Sequence, residues 1–441
     1  MRQLIGCSQH QTTEGTAKTA SQICYGKVHS WVKTFVPQAH GTVVKTVAFT
    51  ILCLLVAQRL NPAALARAIP FSEEGTARNR LRRMNRCWYG PDLPHDSVTP
   101  RLIQAALALL PPDAPAVVAM DTTRVALWEI WQAGIVFAGR TLPIGWAVIP
   151  YPWPKGRFRQ TTLALVEQLA AAFPAERSWV LIADRGFPSA TLFARLLQRQ
   201  VGWTIRLRLS DWGEVAGIYA MVKDHLEAGR VHPGERVRAR VGKGTTDQPH
   251  VDAWIVVNDQ LAVPPKHKQN PGTRREREAR AKAHAKHLDQ KGRKSRPPSV
   301  LAKKYAHTWT LFTTAKSVDE AVGEYAARMT IEQTFRDWHH AWGLRQVASA
   351  LTEESAVARL VGIVSLAYHL QVAIGVRFSL DPQGQERRLQ WTVTNRVSNF
   401  WCAQHLFTDP GHDWSSWLAQ QWHHFVLHDT HDTPTPLMEA A

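Results

Sequence analysis

Between Ala116 and Leu209 the chain runs through one order of patterns: three strand-like stretches, a helix, a strand, a helix and a strand. Ala116 to Met120 is a short apolar run that ends at a lone acid, Asp121. Val125 to Ile130 and Gly134 to Pro150 are rich in β-branched and aromatic residues and read as two further strands of a meander. Thr161 to Phe173 carries Leu163, Leu165, Val166 and Leu169 at helical spacing. Trp179 to Ala183 is a second apolar strand ending at a lone acid, Asp184; Ser189 to Arg199 is helical, and Trp203 to Leu209 is a fifth strand. Connection rules leave few α/β arrangements for such an order.

The order is that of an RNase H-like core, a mixed sheet with flanking helices. In that core the first and fourth strands are neighbours, so Asp121 and Asp184 are expected to meet at their ends, where open α/β sheets place their sites. Residues 113–210 form the first part of this core. Residues 211–315 interrupt it as a β-rich insertion, with strands at Val237–Val241, Val251–Val257 and Thr308–Thr313. The core resumes over 316–380, where Val318 to Trp342 reads as one long helix and Glu353 to Val376 as an apolar core helix. An α-helical region precedes the core (1–112) and a Trp- and His-rich helical part follows it (381–441), to which no chemistry is assigned.

Charge names the kind of partner. Lys and Arg total 53 against 36 acids, a net charge of +17, which points to a polyanion. The loop 266–304 holds 14 basic residues and three acids (Glu276, Glu278, Asp289), so 14 − 3 = +11 of that excess lies there. A second basic element is Thr76 to Arg86, with Ser72 or Thr76 as its helix cap. Arg78, Arg82 and Arg86 repeat every fourth residue and form a stripe suited to a DNA backbone. Five scattered cysteines with no Cys-x-x-Cys fit a reducing compartment. The apolar run Val47–Ala57 is too short to span a bilayer. No signal peptide is read at the N-terminus, so the expected location is cytoplasmic, without a membrane.

The chemistry gathers on Tyr325-Ala-Ala-Arg328-Met-Thr-Ile-Glu332. On a helix advancing about 100° per residue, Tyr325, Arg328, Glu332, Arg336 and His339 fall within roughly 80° of arc. Ala327, Ile331, Phe335, Trp338 and Trp342 fall on an adjoining face, ready to pack on a sheet. Asp121, Asp184 and Glu332 are three hard-oxygen donors from separate elements, as two Mg²⁺ (or Mn²⁺) ions about 4 Å apart require. Asp121 would bridge the ions, with Asp184 and Glu332 each completing one side.

Asp-Thr-Thr after one strand, Ala-Asp-Arg-Gly-Phe after another, and Tyr-x2-Arg-x3-Glu together resemble the DDE transposases of bacterial insertion sequences. The branch most like it is the one named for insertion sequence four, which carries a β-rich insertion before the Glu. The resemblance covers about residues 115–345. It implies Mg²⁺-dependent cleavage at terminal inverted repeats of double-stranded DNA and strand transfer into target DNA, with a hairpin intermediate in the family's studied members. It also implies that Tyr325 and Arg328 hold phosphates near the cut. Cutting two ends together implies a dimer on DNA. One position departs from the pattern: the family's Lys, seven residues past the Glu, is His339 here, and Arg336 lies on the same face to substitute.

Two alternatives share these residues: a catalytically inactive, transposase-derived DNA-binding protein, and an RNase H-like nuclease of DNA repair. Elsewhere the ordinary structural roles are expected. Glu129 reads as a cross-strand partner, Trp203 and Trp254 as core, and His339, His340, His423 and His424 lack the partners of a zinc site.

Overall fold

A computed structural model describes residues 10–68, 76–90, 93, 95–246, 248–258, 308–382, 384–386, 398–409 and 413–422. The expected basic loop 266–304, Ser72, His423 and His424 lie outside the described residues. The chain divides into two compact units, one formed by residues 1–183 and 326–441, the other by Asp184–Tyr325.

The first unit begins with five helices: α1 (His10–Phe35), α2 (Gly41–Ala57), α3 (Pro62–Arg67), α4 (Ala77–Trp88) and α5 (His95–Leu107). Their ends follow local chemistry. Asn61 caps α3 by accepting from the Ala63 and Ala64 amides at 2.9 and 3.3 Å, with Pro62 in the first turn where no N–H is needed. Thr76, rather than Ser72, caps α4 through the Asn79 amide. The apolar helix α2 is buried from Val47 to Leu55, as its composition requires.

Next come β1 (Ala116–Val125), β2 (Trp128–Phe137), β3 (Arg140–Pro150), α6 (Arg157–Ala172) and β4 (Trp179–Ala183). The first three strands are an antiparallel meander, and β4 pairs in parallel with β1, giving the order β3-β2-β1-β4 of an RNase H-like core. Two expectations need correction. The strands expected at Val125–Ile130 and Gly134–Pro150 are bounded differently, because the hairpin turns fall at 126–127 and 138–139. β1 does not end at Asp121 but continues to Val125, because Thr122, Thr123 and Arg124 stay in register with Trp131, Ile130 and Glu129 of β2. Glu129 is the cross-strand partner it was expected to be: it is buried, lies opposite Arg124 and accepts from its Nε at 3.1 Å.

The second unit holds α7 (Ala190–Gln198), β5 (Gly202–Arg206), β6 (Trp212–Val215), β7 (Ile218–Met221), α8 (Val222–Glu227), β8 (Arg236–Val241), β9 (Val251–Asn258), β10 (Trp309–Thr313) and most of α9 (Val318–Ala327). Its strands run antiparallel in the order β5-β10-β9-β8-β6-β7. Phe193, Trp203 and Phe312 form its aromatic core. Trp203 is therefore buried as expected, whereas Trp254 is half-exposed beneath the Arg236 guanidinium, 4.1 Å from its ring centre.

The chain then completes the first unit with α10 (Met329–Arg336), a π-helical turn (Asp337–Ala341), α11 (Leu344–Ala348), α12 (Glu354–Leu380), α13 (Asn399–Thr408) and α14 (Trp414–Gln421). The expected single helix from Val318 to Trp342 is thus broken at Arg328 and widened after Arg336. Gly343, at φ 75°, ends the turn in a conformation that side chains resist. Ile331, Trp338 and Trp342 are fully buried and Phe335 nearly so, as the expected packing face requires. Helix α12 packs on β3. Gly362 permits that approach, since a Cβ there would lie 2.7 Å from the Trp146 ring. α12 is long and apolar enough to cross a membrane, but 89% of its apolar window is buried inside the protein.

Candidate active site

Strand pairing sets the two aspartates. Met120 of β1 stands opposite Ala183 of β4, and Asp121 and Asp184 are the next residues along each chain. Asp121 accepts from the Thr122 amide through Oδ1 at 2.8 Å. Its other oxygen, Oδ2, accepts from Nη1 of Arg328 at 2.8 Å, and Nη2 of the same guanidinium donates to Glu332 Oε1 at 2.7 Å. One cation thus holds two carboxylates from different elements. The Arg328 side chain is only 9% exposed, against 19% for Asp121 and 35% for Glu332, so the clamp is shielded on its arginine side.

Asp184 is the first residue of the second unit and Tyr325 the last. The Tyr325 hydroxyl donates to Asp184 Oδ1 at 3.0 Å. Its ring is buried against Trp309 edge-on, with centroids 4.7 Å apart, so the phenol is held by packing as well as by the acid. One residue earlier, Glu324 accepts from Thr204 Oγ1 at 2.5 Å, and burial pushes its carboxyl above the usual range.

The remaining residues of the motif diverge. The break at Arg328 and the π-turn mean that the five polar side chains do not share one smooth helical face. Arg336 is exposed and donates to Gln333 Oε1 at 3.3 Å. His339 is turned toward β1, with Nε2 2.9 Å from Thr123 Oγ1. Burial, with the charges of Arg345 and His340, lowers its pKa to about 4, so the imidazole is neutral at pH 7.

Behind Glu332 stands a polar network that motif spacing did not reveal. Buried Asp337 accepts from Arg140 Nε at 2.7 Å and from the Tyr368 hydroxyl at 2.8 Å, both on Oδ2. Arg140 Nη2 also donates to Ser398 Oγ at 3.1 Å. Burial raises the Asp337 carboxyl, opposed by Arg140, and the fully buried Tyr368 phenol is driven well above its ordinary value. The only hint in sequence was a charged residue set among Phe335, Trp338 and Trp342.

The stripe of α4 lies elsewhere in the first unit. Arg78, Arg82 and Arg86 are exposed, while Met84, Cys87 and Trp88 bury the opposite face. Among the described residues no group of three or more His, Cys, Asp or Glu side chains is gathered closely enough to hold a metal ion.

An RNase H-like sheet with acids beside its central parallel pair defines an α/β class, and the comparison with known families narrows it. Residues 158–370 match the family model described as the transposase DDE domain. The match supports a DDE transposase, a class of nuclease and strand-transfer enzyme that acts on DNA and generally uses divalent metals. Asp184, Tyr325, Arg328 and Glu332 fall inside the matched stretch, and Asp121 lies before it. No curated protein matches the chain.

Proposed function

We propose that the protein is a transposase of the branch named for insertion sequence four, which cleaves DNA at the terminal inverted repeats of its element and joins those ends to target DNA. The observation that carries this reading is the Arg328 clamp. It draws Asp121 and Glu332, 211 residues apart (332 − 121), into one anionic site next to the strand pair that leads to Asp184.

The donor set suits Mg²⁺ or Mn²⁺, since all three side chains offer hard carboxylate oxygens. A cation held by Asp121 and Glu332 would take over the charge that Arg328 now supplies, so the guanidinium must release at least one of them. When bound, two such ions activate the attacking hydroxyl and stabilise the leaving oxygen. Asp121, Asp184 and Glu332 would hold the ions, and the Tyr325 hydroxyl, bonded to Asp184, would fix the orientation of that carboxylate. Arg328, once released, offers a forked donor to a phosphate. Arg336 faces solvent and supplies the cation that neutral His339 does not. Cleavage through a hairpin, a dimer on DNA and a cytoplasmic location complete the proposal.

The test incubates purified protein and Mg²⁺ with DNA carrying the element's end, with products resolved on denaturing gels. Wild type should nick, form hairpins and join ends, while Asp184→Ala falls by more than about 100-fold. Equal products from both proteins would overturn the reading. An inactive transposase-derived DNA-binding protein would bind the ends and leave them intact. A repair nuclease would cut without joining.

A further inference from the structure

The first unit contains a cavity of about 1130 Å³ at the C-terminal end of α4, bordered by the start of α3, the π-turn, α11 and α13. Among the described residues its lining has no acidic residue. Two large aromatic residues stand at it partly exposed: Tyr89 is 52% exposed and Trp401 41%. Asn85, Gln346, Gln404 and Arg59 are also among its lining residues. Gln404 has its Oε1 buried with no hydrogen-bond partner among the described residues, so this oxygen is not committed to holding the fold.

The cavity is continuous with the arginine stripe. Arg78, Arg82 and Arg86 are spaced one helical turn apart, and Asn85 and Tyr89 follow Arg82 by three and seven residues. The exposed side of α4 therefore runs from guanidiniums to an amide and then to an aromatic ring. Guanidiniums suit phosphates; amides present the paired donor and acceptor that read a base edge; bare rings offer stacking surfaces that any base can use. An intact duplex cannot put a base into such a recess, but a strand with an unpaired base can.

We propose that this cavity receives an unstacked nucleobase of DNA whose backbone lies along the α4 stripe, with Tyr89 and Trp401 as its stacking platforms. The inference rests on the reading of the protein as one that handles DNA ends, and it assigns a binding site whose lining includes none of Asp121, Asp184 and Glu332.

The test measures binding without cleavage, in EDTA, using two probes: a duplex with a short single-stranded overhang carrying fluorescent aminopurine, and the same duplex blunt-ended. Wild type should prefer the overhang and quench the aminopurine. Tyr89→Ala combined with Trp401→Ala should bind the overhang about tenfold more weakly and lose the quench, erasing the difference between probes. Trp401→Phe should restore part of both. Because the two rings are exposed, an unchanged melting temperature verifies that the double variant is folded. Retention of preference and quench in that variant would overturn the inference. A wild type that binds both probes equally would also overturn it while leaving the DNA-end reading intact. A wild type that binds neither would remove both.

Discussion

A guanidinium bonded to two carboxylates is a cation already in place, and Arg328 should compete with any metal drawn to Asp121 and Glu332. Arg328→Gln removes the charge and keeps a polar side chain. In DNA-free protein it should bind Mn²⁺ about tenfold or more tightly than wild type by electron paramagnetic resonance, since an opposing charge within about 4 Å is removed. The same variant should bind DNA ends more weakly. Unchanged Mn²⁺ affinity would show that the clamp does not guard the site. The partnership of Arg328 with Glu332 was legible from their four-residue spacing. Its bond to Asp121 was not, because the partners are 207 residues apart and the pattern gives no distance. Likewise, His339 could be read as a missing Lys, but its inward turn onto Thr123 depends on the π-turn.

That turn has no local signature, so the stretch from Val318 to Trp342 read as one regular helix; buried partners in other elements decide its shape. Asp337 opens the turn and is tied to β3 through Arg140 and to α12 through Tyr368. Asp337→Ala would remove the carboxylate partner of the mostly buried Arg140 guanidinium and should cost about 2 kcal/mol in denaturant unfolding. An unchanged midpoint would mean that the network is not structural. A second tie between α12 and β3 is His369, which is buried with Nε2 on the Pro143 carbonyl oxygen at 2.5 Å; burial lowers its pKa to about 4. The unfolded chain takes up this proton near pH 6.5, while the folded protein resists it until about pH 4. Stability is therefore complete above about pH 6.5 and declines as pH falls through that window. His339 adds a decline of the same sign. Thermal melts between pH 7.5 and 4 should show a shallower loss for His369→Gln, and parallel curves would refute the assignment. Strands were the better-read elements: β4 matches its expected bounds, because a five-residue apolar run between turns has few alternatives. β1 overran its expectation because its polar continuation is held by pairing with β2, and the four-residue strands β6 and β7 were too short to be read.

Across the whole chain a net charge of +17 means that binding to the proposed DNA partner should weaken with salt. If Arg78, Arg82 and Arg86 each meet a phosphate, replacing all three by Ala should flatten the slope of log affinity against log salt by roughly 2.7, at about 0.9 per contact. The loss should be similar for every DNA sequence, and an unaltered slope would release α4 from the backbone. The interruption was expected at 211–315, whereas the second compact unit runs from Asp184 to Tyr325 and takes in α7 and β5, which the order of patterns assigns to the core. What spacing could not show is how the interruption is closed. The second unit spans 142 residues (325 − 184 + 1), and its first and last residues, Asp184 and Tyr325, are joined by a hydrogen bond between their side chains. A segment whose two ends are stapled together behaves as a cassette. Its length can grow or shrink by whole strands with little entropic consequence at the stem, because closure rises only slowly with loop length. Evolution, or an engineer, can therefore exchange the body of the insertion while retaining the acid and the phenol that seal its neck.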